Sequence, residues 1–424
     1  MNATEERRFQ PRQPVRTAGR RQRPVAERPA AGSAPPGSEI TWVIAEGRRI
    51  DDLPALTDEV GWRLVAAGLP LARMTLHVGT LHPQLFALGC RWTARDGVTE
   101  AFEVGHEART ADVFLHSPLY AVFARRETVR RRLDAPGMGD DFPILAEIRE
   151  AGMTEYVAMP LLVGQAGRSA ATFATDRPGG FREDEVARLA AFAPALGLVL
   201  ENLALKLIAR TLLDVYLGAS AGGRVLAGDI ARGAGEAIRA VISVYDLRDF
   251  TGLSDRLPGP RVTDLLNRLF ETQVAAVHRA GGEVLKFIGD GLLSIFPITD
   301  AAFTADAAGA ALDAARASRR TLAELNAQLA REPDGVQLAT VAALHVGEVF
   351  FGNIGGATRL DFTAVGPAVN LASRLEQVAK SVGRPLLASR DFVAACAGTR
   401  RFEPLGAHRV RGLAEPVEVF APAA

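Results

Sequence analysis

The stretch Glu283-Val-Leu-Lys-Phe-Ile-Gly-Asp-Gly-Leu-Leu-Ser-Ile-Phe296 decides the fold of the C-terminal half of this chain. It predicts two apolar strands joined by a tight turn at Gly289-Asp290-Gly291, because glycine tolerates the backbone angles that hairpin turns need. A carboxylate at the tip and a lysine at position 286 are unusual in an otherwise apolar hairpin. Each predicts a partner elsewhere in the chain, since an unpaired charge in apolar surroundings is costly.

A second stretch, Val241-Ile-Ser-Val-Tyr-Asp-Leu-Arg-Asp-Phe-Thr-Gly252, predicts an apolar strand that ends at Asp246. Alone, such an aspartate is more often a cap or turn residue. Side by side, Asp246 and Asp290 would repel each other unless cations bound them. Carboxylate oxygens without a nearby Cys or His pattern favour Mg²⁺ or Mn²⁺, and paired metal ions are the usual device for displacement at phosphorus. The backbone of residues 247–252 could hold phosphate oxygens.

Length and composition bound the interpretation. A chain of 424 residues is too long for one ordinary core, which predicts two domains and linkers. The formal net charge is zero, so electrostatics do not favour a nucleic acid or an anionic membrane as partner. Cys90 and Cys396 are far apart and predict free thiols in a reducing compartment. The apolar run Leu189 to Leu200 is too short for a bilayer and no signal-peptide pattern is found, which predicts a cytoplasmic protein without a membrane span.

The N-terminal half is less informative. Residues 1–39 are rich in Arg, Pro, Ala, Gly and Ser, a composition that predicts a disordered tail. Residues 40–185 have mixed helix and strand patterns, with a charged helix predicted over residues 119–133. The end of this region, two strands followed by a Pro-Gly-Gly-Phe turn and a helix, resembles a GAF-type sensory domain. The resemblance implies an α+β regulatory domain that responds to a small ligand or a protein signal.

Residues 186–237 are predicted to be a signalling helix and a hinge. Leu189, Leu196 and Leu203 lie seven residues apart, with apolar residues interleaved. That spacing favours a coiled-coil seam in a parallel dimer. A helix packed against its own domain is the alternative, because the pattern lasts for only about three heptads.

From residue 238 to residue 424 the chain alternates strand and helix patterns. The predicted helices cover about residues 261–280, 301–331 and 367–382, and the predicted strands include residues 337–345, 349–354 and 360–365. This order predicts an α+β domain in which helices pack on a sheet with hairpins.

Three stretches of this domain together resemble class III nucleotide cyclases, which make cyclic AMP or cyclic GMP. They are Tyr245-Asp-Leu-Arg-Asp-Phe-Thr-Gly252, Lys286-Phe-Ile-Gly-Asp-Gly291 and Asp361-Phe-Thr-Ala-Val-Gly-Pro-Ala-Val-Asn-Leu-Ala-Ser-Arg-Leu-Glu376. The resemblance covers about Ile238 to Phe420 and implies a ferredoxin-like fold. Pro367 stands where the family often has Asp or Asn, and proline in a first helical turn is well tolerated.

The resemblance also implies roles for single residues. Asp246 and Asp290 would hold two Mg²⁺ or Mn²⁺ ions per site, with Leu247 beside them at the metal. Lys286 and Thr363 match the residues with which adenylyl cyclases read the base. This pair favours ATP over GTP, because an ammonium donates to adenine N1 and a hydroxyl accepts from the exocyclic amine.

Further residues would bind the ribose and the phosphates. Asn370 and Arg374 are four residues apart on one helix face. By the resemblance, Asn370 positions the ribose and Arg374 stabilises charge on the reacting phosphate, a role that suits a planar guanidinium. The substrate-binding set is completed by Phe250, Thr251, Gly252 and Arg411.

Family sites form between two domains, and this chain has one cyclase-like domain with both half-sites. The resemblance therefore implies a head-to-tail homodimer that converts ATP to 3′,5′-cyclic AMP and pyrophosphate. Two alternatives stay open, a guanylyl cyclase and a degenerate domain that binds nucleotide without turnover. A diguanylate cyclase is disfavoured, because Gly281-Gly-Glu-Val284 continues with Leu-Lys instead of Glu-Phe.

Overall fold

The computed structural model describes residues 16–134, 141–161, 169–410 and 412–423. The chain divides into two compact units, Met1–Leu212 and Leu213–Ala424. Each unit has its own hydrophobic core, as the length of the chain predicts.

The first unit is built on one antiparallel sheet. Its strands in the described residues are β1 (Arg16–Gln22), β2 (Arg73–Gly79), β3 (Leu85–Thr93), β4 (Val98–Gly105), β5 (Val129–Arg132), β6 (Glu155–Leu161) and β7 (Ser169–Thr175). The strand order is β1-β4-β3-β2-β7-β6-β5. Every residue of the interior strand β7 is buried, so this part of the sheet is covered on both faces.

Helices cover the sheet of the first unit. In the described residues they are α1 (Ser38–Ala45), α2 (Leu53–Ala66), α3 (Asp112–Leu115), α4 (Pro118–Arg125), α5 (Pro143–Glu150) and α6 (Glu183–Leu217), the last of which continues into the second unit. The Asp52 side chain begins α2 by accepting a hydrogen bond from the backbone N–H of Ala55. Gly61 of α2 lies against the Trp92 ring of β3, where a Cβ would come within 2.5 Å of the ring. Glycine is therefore needed for α2 to pack this closely.

Two predictions for the first unit are wrong. The disorder predicted for residues 1–39 is contradicted from residue 16 onward by β1, which pairs with β4 along the sheet edge, and residues 1–15 lie outside the described residues. The neighbouring Arg23 forms ion pairs with Asp58 and Glu59 of α2. Backbone hydrogen bonds between strands and these ion pairs order the segment, and amino-acid composition does not reveal such contacts. The helix predicted over residues 119–133 is α4 followed by β5. The helix ends because Arg126 adopts a left-handed backbone conformation.

The predicted long helix is confirmed as α6, but the leucines of its predicted coiled-coil seam do not face a partner helix. Leu189, Leu196 and Leu203 are buried in the core of their own unit. On this face the helix therefore packs against its own domain, which was the alternative interpretation. Leucines seven residues apart can pack in a domain core as well as against a partner helix. By length and composition α6 could cross a membrane, and half of its most apolar stretch is buried in the structure.

The second unit has a larger sheet. Its strands in the described residues are β8 (Gly235–Leu247), β9 (Glu283–Ile288), β10 (Gly291–Ile298), β11 (Thr340–Gly355), β12 (Leu360–Val365), β13 (Leu386–Ser389), β14 (Phe402–His408) and β15 (Val417–Pro422). The strand order is β14-β15-β13-β11-β8-β10-β9, and β12 pairs with β11 beside this path. The two predicted strands over residues 337–345 and 349–354 are one strand, β11. Pairing of β11 with β13 is parallel.

Helices pack on both faces of this sheet. Those in the described residues are α7 (Ala219–Leu226), α8 (Phe250–Arg256), α9 (Gly259–Arg279), α10 (Thr304–Leu329), α11 (Pro367–Ser381) and α12 (Arg390–Ala395). Along β8, Val241 and Tyr245 join the core formed with α9, α10 and α12. The alternate residues Ile242 and Val244 join the core formed with α7 and α11. This α+β arrangement agrees with the predicted fold class. Because alternate residues of a strand point to the same face, Asp246 lies on the face of the sheet that α11 covers.

Candidate functional site

The turn between β9 and β10 brings the two predicted metal aspartates together. Leu292 of β10 pairs with Tyr245 of β8, so the turn lies over the end of β8. A Cβ at Gly291 would lie 2.3 Å from the carbonyl oxygen of Tyr245 and 3.0 Å from Oδ1 of Asp246. Only glycine permits this approach, and Asp290 immediately before it is carried to the side of Asp246.

The electrostatics of Asp290 are those of a crowded carboxylate. Burial raises its pKa, and the neighbouring charge of Asp246 raises it further. Two carboxylates this close favour a shared cation or a shared proton. A divalent ion coordinated by hard oxygen atoms would relieve the repulsion.

A lysine supplies positive charge at this point. Lys380, in the last turn of α11, donates a hydrogen bond to Oδ2 of Asp246. Its Nζ also lies 3.0 Å from Oε1 of Glu376, one helical turn earlier. Burial would lower the pKa of Lys380, but the carboxylates of Asp246 and Glu376 outweigh burial and raise it. Asp246 therefore already has a cationic partner from its own chain.

These residues fit a divalent metal. Asp246 and Asp290 offer carboxylate oxygens, and Leu247 follows with its backbone carbonyl at the end of β8. Among the residues that the structure describes, no group of three or more His, Cys, Asp or Glu side chains is arranged to hold a metal. A metal here would therefore need further oxygen ligands from substrate phosphates or water.

The predicted base-reading pair lies on β9 and β12. Lys286 Nζ donates a hydrogen bond of 3.0 Å to Oδ2 of Asp361. Thr363, two residues further along β12, is 2% exposed and its Oγ1 has no hydrogen-bond partner. The structure thus brings Lys286 to the strand of Thr363, with Asp361 as its partner in place of the hydroxyl.

The helix α11 carries the two predicted catalytic residues. It begins after Gly366, whose φ of +147° favours glycine, with Pro367 at its first position. Asn370 is exposed in the first turns of the helix and Arg374 is half-buried one turn later. A Cβ at Gly412 would lie 3.2 Å from the guanidinium of Arg374, so the C-terminal loop approaches it. Arg411, the predicted phosphate ligand, lies outside the described residues.

The predicted phosphate loop is the link between β8 and α8. Asp249 adopts a left-handed conformation, with φ of +58°, at the start of α8. A Cβ added at Gly252 would lie 2.6 Å from the carboxylate of Asp249. Phe250, Thr251 and Gly252 therefore form the first turn of a short helix directly after the Asp246 strand.

Residues 238–412 match the sequence model of the family described as the adenylate and guanylate cyclase catalytic domain. The second unit is a nucleotide cyclase catalytic domain. An uncharacterised protein of Mycobacterium tuberculosis is 35% identical over 190 residues, which are 44% of this chain and 32% of that protein. Adenylate cyclase 1 of Rhizobium meliloti is 31% identical over 180 residues, 41% of this chain and 26% of that protein. The chain therefore spans about a third or less of the curated relatives that it matches.

Part of this chain is also similar to a solved structure. The adenylyl cyclase CyaB from Pseudomonas aeruginosa is 27% identical, with a TM-score of 0.41, over 45% of this chain and 95% of that chain. The GAF-like nature of the first unit stays a prediction, as does its response to a ligand or a protein.

Sequence reasoning missed three charged residues of the cyclase domain, Asp361, Glu376 and Lys380. Glu376 and Lys380 are four residues apart, a spacing that also describes an ordinary surface ion pair on a helix. One signal was available in the composition, since Lys380 is one of only three lysines in a chain with 49 basic residues. Asp361 lies within the third family stretch, but its contact with Lys286 depends on the approach of β9 to β12.

Proposed function

We propose that this chain is an adenylate cyclase that converts ATP to 3′,5′-cyclic AMP and pyrophosphate at the interface of a head-to-tail homodimer. The observation that carries the proposal is the Asp246–Asp290 pair, in which burial and the neighbouring charge of Asp246 raise the pKa of Asp290. Two carboxylates this close repel each other, and a bound cation would relieve that repulsion. The match of residues 238–412 to the cyclase family supports the same reaction class.

Each role that the proposed reaction needs falls to a residue of this chain. Asp246 and Asp290, with the carbonyl of Leu247, would hold two Mg²⁺ or Mn²⁺ ions, which when bound activate the ribose 3′-hydroxyl and neutralise phosphate charge. Asn370 orients the ribose so that the hydroxyl lies in line with the α-phosphorus. The guanidinium of Arg374 stabilises the charge that develops on that phosphate.

The outer phosphates and the base have separate partners. Backbone N–H groups of Phe250, Thr251 and Gly252 face the phosphates, and Arg411 would bind the terminal phosphate. Lys286 donates to adenine N1 and Thr363 accepts from the amino group. The unpartnered hydroxyl of Thr363 supports this assignment, because a buried polar atom without a partner costs free energy unless a ligand completes it.

The surface around Lys286 supports the dimer. Four large apolar side chains of β9 and β12 are exposed there, namely Phe287, Ile288, Leu360 and Val365. Exposed apolar side chains on two strands of one domain favour a protein interface. A second copy of the chain fits the proposal, because it would place the base-reading residues of one protomer beside the metal aspartates of the other.

Regulation through α6 is part of the proposal. The face of α6 that is exposed carries Leu198, Leu205 and Leu212, again seven residues apart and 64%, 59% and 36% exposed. In a dimer this stripe, which replaces the buried one as the candidate seam, would continue toward the catalytic interface. Inserting two residues after Leu207 would rotate everything beyond it and is expected to change turnover. Unchanged turnover would argue against coupling through the helix.

The direct test is turnover of ATP and GTP by the purified chain with Mg²⁺ and with Mn²⁺, with products separated chromatographically. We expect cyclic AMP as the main product and loss of turnover in Asp290→Asn. Cyclic GMP as the main product would replace the proposal by guanylyl cyclase activity. If neither product formed, the degenerate-domain alternative would hold.

Mixing two inactive variants tests the dimer. Asp290→Asn and Asn370→Ala damage opposite halves of the same site in a head-to-tail dimer. A heterodimer of the two then has one doubly damaged site and one intact site, and random exchange should restore about a quarter of wild-type activity. A mixture that stays inactive after exchange would argue for a site formed within one chain.

A further inference from the structure

The use of lysine in this chain is selective. Its three lysines are Lys206, Lys286 and Lys380, against 49 basic residues in all. Lys286 and Lys380 each meet an aspartate of the cyclase domain. An ammonium is a compact point charge on a flexible stem, whereas a guanidinium is a planar fork that binds carboxylates with fixed geometry. Lysine therefore suits a contact that must form and break.

Lys380 occupies the place of a metal cation. Its Nζ binds Oδ2 of Asp246, and its charge also acts on Asp290. The two carboxylates that would hold a divalent ion thus share the field of one ammonium. A metal ion and an ammonium compete for Asp246, because both are cations that need the same oxygen atoms.

A second carboxylate, that of Glu376, can keep the Lys380 ammonium paired when it leaves Asp246. Its side chain is 38% exposed, and Glu376 lies 3.0 Å from Nζ with a side chain that is only 9% exposed. Glu376 is on the same helix, so it keeps its position when the ammonium leaves Asp246. The ammonium can therefore move away from Asp246 without leaving a buried carboxylate unpaired, which would be costly.

We infer that Lys380 is a built-in counter-ion of the metal site, which neutralises Asp246 in the metal-free protein and is displaced to Glu376 when a divalent ion binds. The inference rests on the proposed function, because it takes Asp246 and Asp290 as the metal ligands. Lys380 is a positioning residue and does not touch the substrate. It sets how much free metal the enzyme needs, since each binding event must displace it.

A purely structural role is the competing explanation. Lys380 would then tie α11 to β8 whether or not metal is bound. Its replacement would lower stability by the same amount with and without metal, and it would not increase metal affinity. The two explanations differ in binding as well as in activity.

The experiment is a titration of the full chain with Mn²⁺ alone, in which free Mn²⁺ is measured by electron paramagnetic resonance. We expect Lys380→Met to bind Mn²⁺ about tenfold more tightly than wild type, because the competing charge is gone. Lys206→Met is the matched control, since Lys206 pairs with exposed Asp51 at 2.6 Å in the first unit. It should bind Mn²⁺ like wild type. Equal or weaker binding by Lys380→Met would overturn the inference.

A second measurement covers the case in which Lys380→Met folds poorly. Lys380→Arg keeps the competing charge and should bind Mn²⁺ no more tightly than wild type, because a guanidinium holds Asp246 at least as firmly as the ammonium does. Thermal unfolding in EDTA and in Mn²⁺ completes the set. Lys380→Met should gain more in Tm from Mn²⁺ than wild type does, and an equal gain would favour the structural role.

Asp290→Asn separates this inference from the proposed function. If wild type and Asp290→Asn bind Mn²⁺ equally well, the two aspartates are not the metal site, and both ideas are wrong. If Asp290→Asn loses Mn²⁺ and Lys380→Met gains none, the metal site stands and only the role of Lys380 is rejected.

Discussion

Carboxylates withdrawn from solvent, fully in the first unit and partly in the second, are treated in opposite ways by the two units. In the first unit, Glu155 is fully buried and accepts hydrogen bonds from Arg130 and from the backbone N–H of Phe181. In the second unit, Asp246 and Asp290 stand side by side, and Lys380 is the cation beside them. The first arrangement satisfies a charge locally, and the second leaves two like charges in need of a cation.

The pKa shifts follow the same division. Burial would raise the pKa of Glu185 in the first unit, but Arg177 and the backbone N–H of Arg182 outweigh it and lower the pKa. In the second unit, burial and Asp246 act in the same direction and raise the pKa of Asp290. A buried carboxylate whose surroundings disfavour its charge is more informative about function than one whose surroundings favour it.

The largest expected effect is in the first unit. Glu155→Gln removes one partner of a buried ion pair and leaves Arg130 without its buried counter-charge, which should cost about 3 kcal/mol of unfolding free energy. Tryptophan fluorescence during urea unfolding measures it, because Trp42, Trp62 and Trp92, the three tryptophans of the chain, all lie in this unit.

The same arginine supplies the control. Glu183 binds Arg130 at 2.7 Å, but its side chain is 87% exposed. Glu183→Gln should therefore cost less than about 0.5 kcal/mol. Equal losses for the two variants would mean that burial does not decide the value of these pairs, and the contrast between the units would lose its basis.

In the second unit, loss of a carboxylate should separate stability from activity. Asp290→Asn keeps a residue that suits turns and removes the repulsion with Asp246, so stability in EDTA should stay equal or rise by about 0.5 kcal/mol. Turnover should fall by at least about 100-fold. Hydrogen exchange of peptides from β8 and β10 reports stability here.

Asp313→Asn is the control for this variant. Asp313 is exposed and pairs with Arg400 instead of with Asp246 or Asp290, so its substitution should leave turnover unchanged. Clear destabilisation by Asp290→Asn would show that Asp290 is a structural residue.

Local sequence patterns were sufficient for the core of the candidate site. Gly289-Asp290-Gly291 predicts its hairpin because only glycine allows the turn and the approach to Tyr245. The apolar strand before Asp246 predicts β8 for a similar local reason. Contacts that depend on the tertiary fold were not predictable, and the ion pair between Lys380 and Asp246 joins residues 134 positions apart.

The first unit shows the same limit more strongly. Periodicity correctly predicted α6, but it could not distinguish a core from a partner, and Leu196 is buried in its own unit. Composition suggested disorder for residues that form β1, because pairing with β4 supplies the hydrogen bonds that an edge strand needs. The predicted coiled-coil seam and the predicted disorder were wrong because the residues concerned pack against other parts of their own unit.

Two buried threonines sharpen the comparison at a smaller scale. Thr57 in the first unit donates a hydrogen bond of 2.7 Å to the carbonyl of Leu53, whereas Thr363 in the second has none. Thr57→Val should cost about 1 kcal/mol, and Thr363→Val should be neutral or stabilising by less than about 1 kcal/mol. Unfolding of each unit measures this. Thr363→Val should also reduce the preference for ATP over GTP; destabilisation by both variants alike would contradict the contrast.

The smallest expected effect is a difference in acid sensitivity. Burial lowers the pKa of His345 in the second unit, against a weaker opposing effect of Asp391, 3.8 Å away. The unfolded chain therefore binds a proton below about pH 6.5 that the folded unit does not, and the contribution of His345 to stability falls as the pH drops from there. The contribution of Glu185 in the first unit, whose pKa is lowered, is retained until the pH falls below about 4.3.

Hydrogen exchange of β11 peptides between pH 7.5 and 5.5 measures the effect of His345. Wild type should lose protection toward pH 5.5, by less than about 1 kcal/mol, and His345→Asn should show a flatter dependence. His345 Nδ1 lies 2.8 Å from the Ser389 hydroxyl, which itself accepts the backbone N–H of Phe392 at the start of α12. A flatter slope in His345→Asn assigns the acid sensitivity to the buried imidazole. An equally steep slope would exclude His345 as its source, and the crowded Asp290 could not replace it, because a raised pKa favours the folded unit as the pH falls.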